Sequence, residues 1–214
     1  MQTYALSRNR LMSRVFLGLC MSLVTATAGV YVGSYLPPAV ILLLLLVEVG
    51  MCFAAVWIQR RRAVGMPFVL LFTFVSGATI WPTIDWYLVQ MGPIPIARAL
   101  AVSAAAFLIS AAVASRASFD FSFLGGFLFV GLLAVVLLGL VSLFLPFAST
   151  VSLIYSVLGI AVFIGYVLFD VNRLVHFGLS EEMVPWVVLS LYLDFVNLFL
   201  FVLRLMGILE SDDR

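Results

Sequence analysis

The sequence predicts an all-α integral membrane protein with seven transmembrane helices, and three observations carry that reading. Of the 214 residues, 65% are apolar and 10% charged, against roughly 45–50% and ~25% in soluble domains. Mean hydropathy is +1.25. The apolar residues fall in seven stretches near the ~20 residues that a helix needs to cross about 30 Å of hydrocarbon. At this length, spans and short connections fill one domain over residues 1–214, with no room for a folded soluble domain.

Residues 1–14 read as a cytoplasmic N-terminal segment. The first span is residues 15–36; Arg8, Arg10 and Arg14 precede it, and its apolar run exceeds a signal-peptide core, so it is expected to be retained. Pro37 and Pro38 close it because proline cannot continue the hydrogen-bond ladder. The second, residues 39–59, stops at Arg60, Arg61 and Arg62, with Trp57 at the interface. The third, residues 63–81, ends at Trp81 and Pro82, and residues 83–95 read as an interfacial loop built on Asp85, Trp86, Tyr87, Gly92, Pro93 and Pro95.

The fourth span, residues 96–115, is rich in alanine and serine, which let helices approach closely, so it is expected to be buried in the bundle. Arg116 and Asp120 mark a loop before the fifth, residues 121–145, which ends at Pro146. The sixth, residues 151–175, leads into a hairpin with Gly178 as its stop and Ser180 as the next N-cap. Glu181 and Glu182 then fall in a first turn, where the helix dipole favours anions. The seventh span is residues 183–208, and residues 209–214 form a polar tail.

All eleven basic residues are arginine. Without a lysine there is no Schiff-base amine, which excludes the retinal-binding function that seven spans suggest. A net charge of +1 gives no field to steer nucleic acid. Cys20 and Cys52 lie in apolar stretches as small hydrophobes and propose neither disulfide nor metal cage. His176, the one histidine, sits at a predicted loop and reads as solvated rather than as a sensor. Odd span number puts the termini on opposite sides: Arg8, Arg10, Arg14, Arg60, Arg61, Arg62, Arg116 and Arg173 share one side against Arg98, Arg204 and Arg214. That bias predicts a cytoplasmic N-terminus and an outward C-terminus.

The chemistry rests on the few charges inside the spans. A carboxylate at the bilayer centre costs about 2.5–3.5 kcal/mol on insertion scales, so each needs a partner, a proton or water. Asp170 lies in the sixth span; Asp194 lies in the seventh, roughly 16 Å in at helical rise. Ser190, Asp194 and Asn197 share one helical face, a polar stripe expected to face inward; the serine and asparagine also suit plain interhelical hydrogen bonding. Measured from the predicted turn, a straight hairpin leaves the two aspartates about 9 Å apart in depth, so their contact does not follow from spacing. Glu48 in the second span and Arg204 in the seventh are a second candidate pair, and Arg204 reads equally as snorkelling to the outer interface.

The segment Leu189-Ser-Leu-Tyr-Leu-Asp-Phe-Val-Asn-Leu-Phe199, preceded by Leu168-Phe-Asp-Val-Asn172, resembles the signature of the transmembrane Bax inhibitor motif family, including its bacterial members. The arginines after the second span and Phe74-Val-Ser-Gly77 in the third extend the likeness across nearly the whole chain. The resemblance implies a pH-sensitive calcium leak channel in a bacterial plasma membrane, with the seventh helix central between two three-helix layers. It implies a pH-sensing dyad at Asp170 and Asp194, which would also be the weak, transient Ca²⁺ ligands, with Asn172, Ser190 and Asn197 in support. Glu48 matches the family's acid in the second span. An arginine latch on the seventh-helix aspartate is expected at the end of the second span; Gln59 stands at that position, leaving Arg60 or Arg61 as the latch, offset by about 100° per residue.

The implied partners are therefore lipid, Ca²⁺ and protons, with no nucleic acid, no cofactor and no catalysis. Three other classes compete. Paired aspartates on the sixth and seventh spans also describe intramembrane aspartyl proteases, but Asp194 follows Ser-Leu-Tyr-Leu rather than a Gly-x-Gly run. A proton-coupled cation exchanger and a non-conducting regulator of other membrane proteins fit the same residues.

Overall fold

The structure is a computed structural model that describes residues 8–61, 63–142, 144–145, 147–177 and 180–212. Its helices are α1 (Arg8–Gly33), α2 (Pro38–Arg61), α3 (Met66–Met91), α4 (Pro93–Arg116), α5 (Leu124–Ser142), α6 (Ser149–Phe177) and α7 (Val184–Asp212), with one 3₁₀ turn at Glu181–Met183. All seven are long and apolar enough to cross a membrane, as the sequence predicts, and with so apolar a composition the chain is an integral membrane protein.

The largest correction concerns Pro82. It neither ends a helix nor begins an interfacial loop: α3 runs through it to Met91, and α4 starts two residues later at Pro93. The breaker rule assumes a helix in water; membrane helices tolerate an interior proline although it frees the carbonyl four residues back. That carbonyl is Ala78 O, and α1 passes over it so closely that a Cβ on Gly33 would lie 2.7 Å away. The reversal itself falls to Gly92, whose φ of 77° is a left-handed conformation that glycine adopts without Cβ strain. Pro93 follows as a first-turn proline, which lacks only a donor that would be unpaired there anyway.

Smaller corrections have local causes. Helices overrun the hydrocarbon, so α1 starts at Arg8 rather than at residue 15, and α7 absorbs part of the predicted tail. α5 is shorter than its apolar run, because Phe121–Ser122 belong to a loop held from outside it. Ser180 makes no side-chain cap bond; Glu181 of the same turn instead pairs with Arg14 at 3.0 Å. His176 sits in the last turn of α6, exposed, with Nδ1 3.1 Å from Asn172 O. Gly178 lies outside the described residues. Only one face of α4 is buried, at Ala99, Ser103, Phe107, Ser110, Ala111 and Ala114, so its small residues do not make it an interior helix.

The chain forms two compact units. The first comprises residues up to Trp86 together with Phe177–Tyr192, and the second comprises Tyr87–His176 with Leu193–Arg214. Each thus gathers three helices and one part of α7. Val15, Val69 and Phe72 are buried in the first unit; Val167, Val171, Leu198 and Leu203 are buried in the second. The most apolar stretch of α7 is 56% buried, against 6% in α2 and 11% in α5. The exposed Leu42, Leu46 and Phe53 of α2 and Phe127, Val130 and Leu137 of α5 are the kind of surface that lipid covers.

Candidate functional site: an intramembrane carboxyl pair

The second unit carries both intramembrane aspartates. Asp170 lies seven residues before the end of α6 at Phe177, and Asp194 ten residues after the start of α7 at Val184. The longer α6 and later α7 cut the depth difference to about 4.5 Å at helical rise. The two carboxyls are within electrostatic reach of each other, and Tyr166, one turn before Asp170 on α6, is within reach of both. Asp170 is half-buried; Asp194 is 5% exposed, and its Oδ2 has no hydrogen-bond partner among the described residues. Phe195 beside it packs edge-on against Phe107 of α4, with centroids 5.7 Å apart. Apolar packing on these sides raises the cost of a bare carboxylate there.

The neighbouring asparagines have structural tasks. Asn172 is fully buried. Its Oδ1 accepts the Phe121 amide at 2.8 Å, and its Nδ2 donates to Ala114 O and Phe119 O at 3.3 and 3.2 Å, so α6 pins the loop between α4 and α5. Asn197 Nδ2 donates to Leu193 O at 2.8 Å, back onto its own helix. Ser190 lies on the first unit's part of α7 and is half-buried.

Glu48 accepts a hydrogen bond from Thr79 Oγ1 of α3 at 2.5 Å. Arg204 donates through Nε and a terminal nitrogen to Ser152 Oγ at 3.2 and 3.1 Å and lies 4.8 Å over the Tyr155 ring. Each has partners in its own unit, so a Glu48–Arg204 pair is not required to account for either side chain. Arg60 is exposed at the end of α2, and the side chains of Arg61 and Arg62 lie outside the described residues. Gln59 is engaged: Nε2 donates to Met183 Sδ at 2.9 Å, and Oε1 accepts the Val64 amide at 3.2 Å just beyond the helix end. Glutamine at this position therefore serves as a local cap, which a sequence comparison reads only as a missing arginine.

With this geometry in view, the comparisons with known proteins are decisive. A family model described as inhibitor of apoptosis-promoting Bax1 matches residues 8–211. The chain belongs to the Bax inhibitor motif family. It is 32% identical over 214 residues to an uncharacterized membrane protein of Vibrio cholerae, covering 97% of this chain and 93% of the relative. It is 34% identical over 147 residues to Bax inhibitor 1 of Schizosaccharomyces pombe, covering 69% and 53%. The Golgi anti-apoptotic protein of vaccinia virus is 29% identical over 210 residues, covering 94% and 86%.

In this Bax inhibitor motif chain, Phe74-Val-Ser-Gly77 lies where α3 meets α1. Gly77 sits against Ala26 of α1, and Gly29 of α1 against Phe74, so closely that a Cβ at either would strike a backbone carbonyl. The readable signal was the pair Gly29 and Gly33, one turn apart on α1, a small-xxx-small spacing that brings helix backbones together. The hydroxyls at Thr73, Ser76 and Thr79 carry a comparable signal, since their three-residue spacing places them on one face.

Proposed function

We propose that this chain is a pH-sensitive calcium leak channel of a bacterial plasma membrane, N-terminus cytoplasmic and C-terminus outside, gated by Asp170 and Asp194. The observation that carries the reading is a buried Asp194 carboxyl with an unpartnered oxygen, within electrostatic reach of a second carboxyl. Two carboxyls so placed do not both ionise comfortably, so the pair holds a proton and titrates as a unit. Losing that proton adds a like charge, which drives the carboxyls apart and biases a two-state arrangement of α7. Arg60 or Arg61 supplies the cation that latches Asp194 in the closed state, by a charge-assisted hydrogen bond.

Calcium is the cargo. Carboxylate oxygens are suitable hard ligands, but Ca²⁺ takes six to eight oxygens, so two acids make a transit point rather than a store. Among the described residues no three His, Cys, Asp or Glu side chains gather to hold a metal ion. The protein does this without catalysing a reaction and without a cofactor.

The test is calcium flux from liposomes bearing the purified chain, measured across a pH series with no pH gradient. Wild type is expected to leak at a pH-dependent rate, and Asp194→Asn, like Asp170→Asn, to lose that dependence. An unchanged leak and unchanged pH response in Asp194→Asn overturns the mechanism. Flux that needs an imposed proton gradient assigns the same residues to an exchanger, and cleavage of a transmembrane peptide lost in Asp170→Asn assigns them to a protease.

A further inference from the structure

Only 6% of the most apolar stretch of α2 is buried, yet its exposed surface is not smooth. Near the end of the helix at Arg61, a groove of about 630 Å³ is lined by Phe53, Ala54, Val56, Trp57 and Arg60, a volume in the ~300–1,000 Å³ range of small-molecule sites. Phe53, Val56, Trp57 and Arg60 recur at intervals of three and four residues, so they share one face that covers about 10 Å of helix. Phe53 is 74% exposed and Trp57 57%, so neither ring belongs to the core. Ala54, the smallest lining residue, is half-buried.

The chemistry changes in order along this face. Phe53 comes first and is wholly apolar. Trp57, one turn on, is a ring with a single N–H donor, the kind of side chain that sits at headgroup level. Arg60, three residues further, has five N–H donors and no acceptor, and among the described residues it forms no ion pair. Arg61 and Arg62 follow it in the chain. Their charge matters because the carbonyls of a helix C-terminus repel an anion, so the attraction for one has to come from the arginines.

The order selects the occupant. A soluble anion would use the guanidinium and leave the rings in contact with lipid tails; a neutral apolar chain would use the rings and leave the guanidinium without a counterion. A phospholipid with a net negative headgroup matches both parts at once, acyl chain against rings and phosphate against guanidinium, through charge-assisted hydrogen bonds. A zwitterionic phospholipid offers the same phosphate with an ammonium beside it, so its net attraction is smaller.

We propose that this groove is a binding site for an anionic phospholipid of the surrounding membrane, its phosphate on Arg60 and an acyl chain along Phe53, Ala54 and Val56. Arg60 is also one of the two candidates for the latch on Asp194; the lipid site stands without that role, and its test reads lipid rather than calcium.

The experiment uses the full chain in phosphatidylcholine vesicles that contain a small fixed share of brominated lipid, either phosphatidylglycerol or phosphatidylcholine with the same brominated chains. Bromine quenches nearby indoles, and the Trp57 part of the signal is the difference between each protein and its Trp57→Phe counterpart. Wild-type Trp57 is expected to be quenched at several-fold lower brominated phosphatidylglycerol than brominated phosphatidylcholine. Arg60→Gln should weaken that preference by about fivefold, the worth of one cation near a membrane surface, whereas Arg60→Lys keeps most of it, which separates loss of charge from damage to the helix. Ala54→Leu fills the groove and should lower the preference with Arg60 intact. Arg98→Gln removes an equally exposed arginine from the start of α4 and should change nothing. Equal quenching by the two lipids in wild type, an unchanged preference in Arg60→Gln, or an equal loss in Arg98→Gln overturns the site. Relief of the phosphatidylglycerol quenching by millimolar inorganic phosphate makes it a site for free anions instead, and Trp57 shielded from both lipids means that a second copy of the chain covers this face; either result also overturns the proposal.

Discussion

The two units solve one packing problem in different ways. Lipid tails are as apolar as leucine, so helices in a membrane gain nothing from hiding apolar surface and must associate through close fit and polar contact. In the first unit the fit is backbone against backbone: Gly29 lies on Phe74, Gly77 on Ala26 and Gly33 on Ala78. Hydroxyls fill the polar part, with Thr25 and Thr73 2.6 Å apart across the α1–α3 contact. In the second unit the fit is made by rings. Phe201 stacks on Phe163 at 5.9 Å and meets Tyr155 edge-on at 5.2 Å, while Gly159 on α6 makes room for its ring. The acids follow their surroundings: Glu48, among hydroxyls, has a donor in Thr79, whereas Asp194, beside packed rings, keeps one oxygen without a partner.

The difference is breakable at its glycines, where the largest effect is expected. A methyl at Gly77 meets the Ala26 carbonyl, and backbone cannot turn aside. Gly77→Ala should therefore lower stability by about 3 kcal/mol or more, the upper end of overpacking effects. At Gly159 the obstacle is the Phe201 ring, a side chain rather than backbone, so Gly159→Ala should cost less, about 1–2 kcal/mol. Gly126, with nothing within 4 Å of an added Cβ, is the control. Equilibrium unfolding in mixed dodecylmaltoside and SDS micelles ranks the three. Equal losses at Gly77 and Gly159 would show that backbone and ring contacts are no different in kind.

Asn172 sharpens the comparison, because it is a buried polar pin in the unit otherwise built on rings. Removing its amide leaves the Phe121 N–H and the Ala114 and Phe119 carbonyls without that partner. Asn172→Ala is expected to lose about 2–3 kcal/mol, the cost of leaving buried groups unsatisfied. The loss should appear together with faster proteolysis between α4 and α5. A stable variant with an unchanged cleavage pattern would show that the loop is held by something else.

What the sequence made legible follows from range. Seven helices are written in local hydropathy, and Asp170 and Asp194 stand out because charge in hydrocarbon is rare. Pro82 reads as a stop because the rule for it comes from helices in water, whereas a membrane helix tolerates an interior proline. The proximity of the two aspartates was hidden because it depends on where α6 ends and on a 3₁₀ turn at Glu181–Met183, which no periodicity encodes. The bond between Glu48 and Thr79 was hidden for another reason: both residues are visible, but nothing local tells which face of α2 meets which face of α3.

The smallest effect belongs to neither packing scheme, at the exposed loop between α4 and α5. Asp120 Oδ1 accepts both the hydroxyl and the amide of Ser122, at 2.6 and 2.8 Å. These bonds, the hydroxyl's first, favour the ionised form and hold the carboxyl below its usual range, with a smaller contribution from His176. A carboxyl lower in the folded than in the unfolded chain adds stability above its unfolded pKa and loses it as pH falls through the folded value. Because the group is fully exposed, that loss should stay local and leave the unfolding midpoint of the whole chain almost unchanged. The Ser122 amide resonance is expected to move with pH below the ordinary aspartate range, and in Asp120→Asn to stop moving. A midpoint that instead follows the same acid titration would mean that this loop bears on the packing of the second unit, through the Phe121 amide that Asn172 holds.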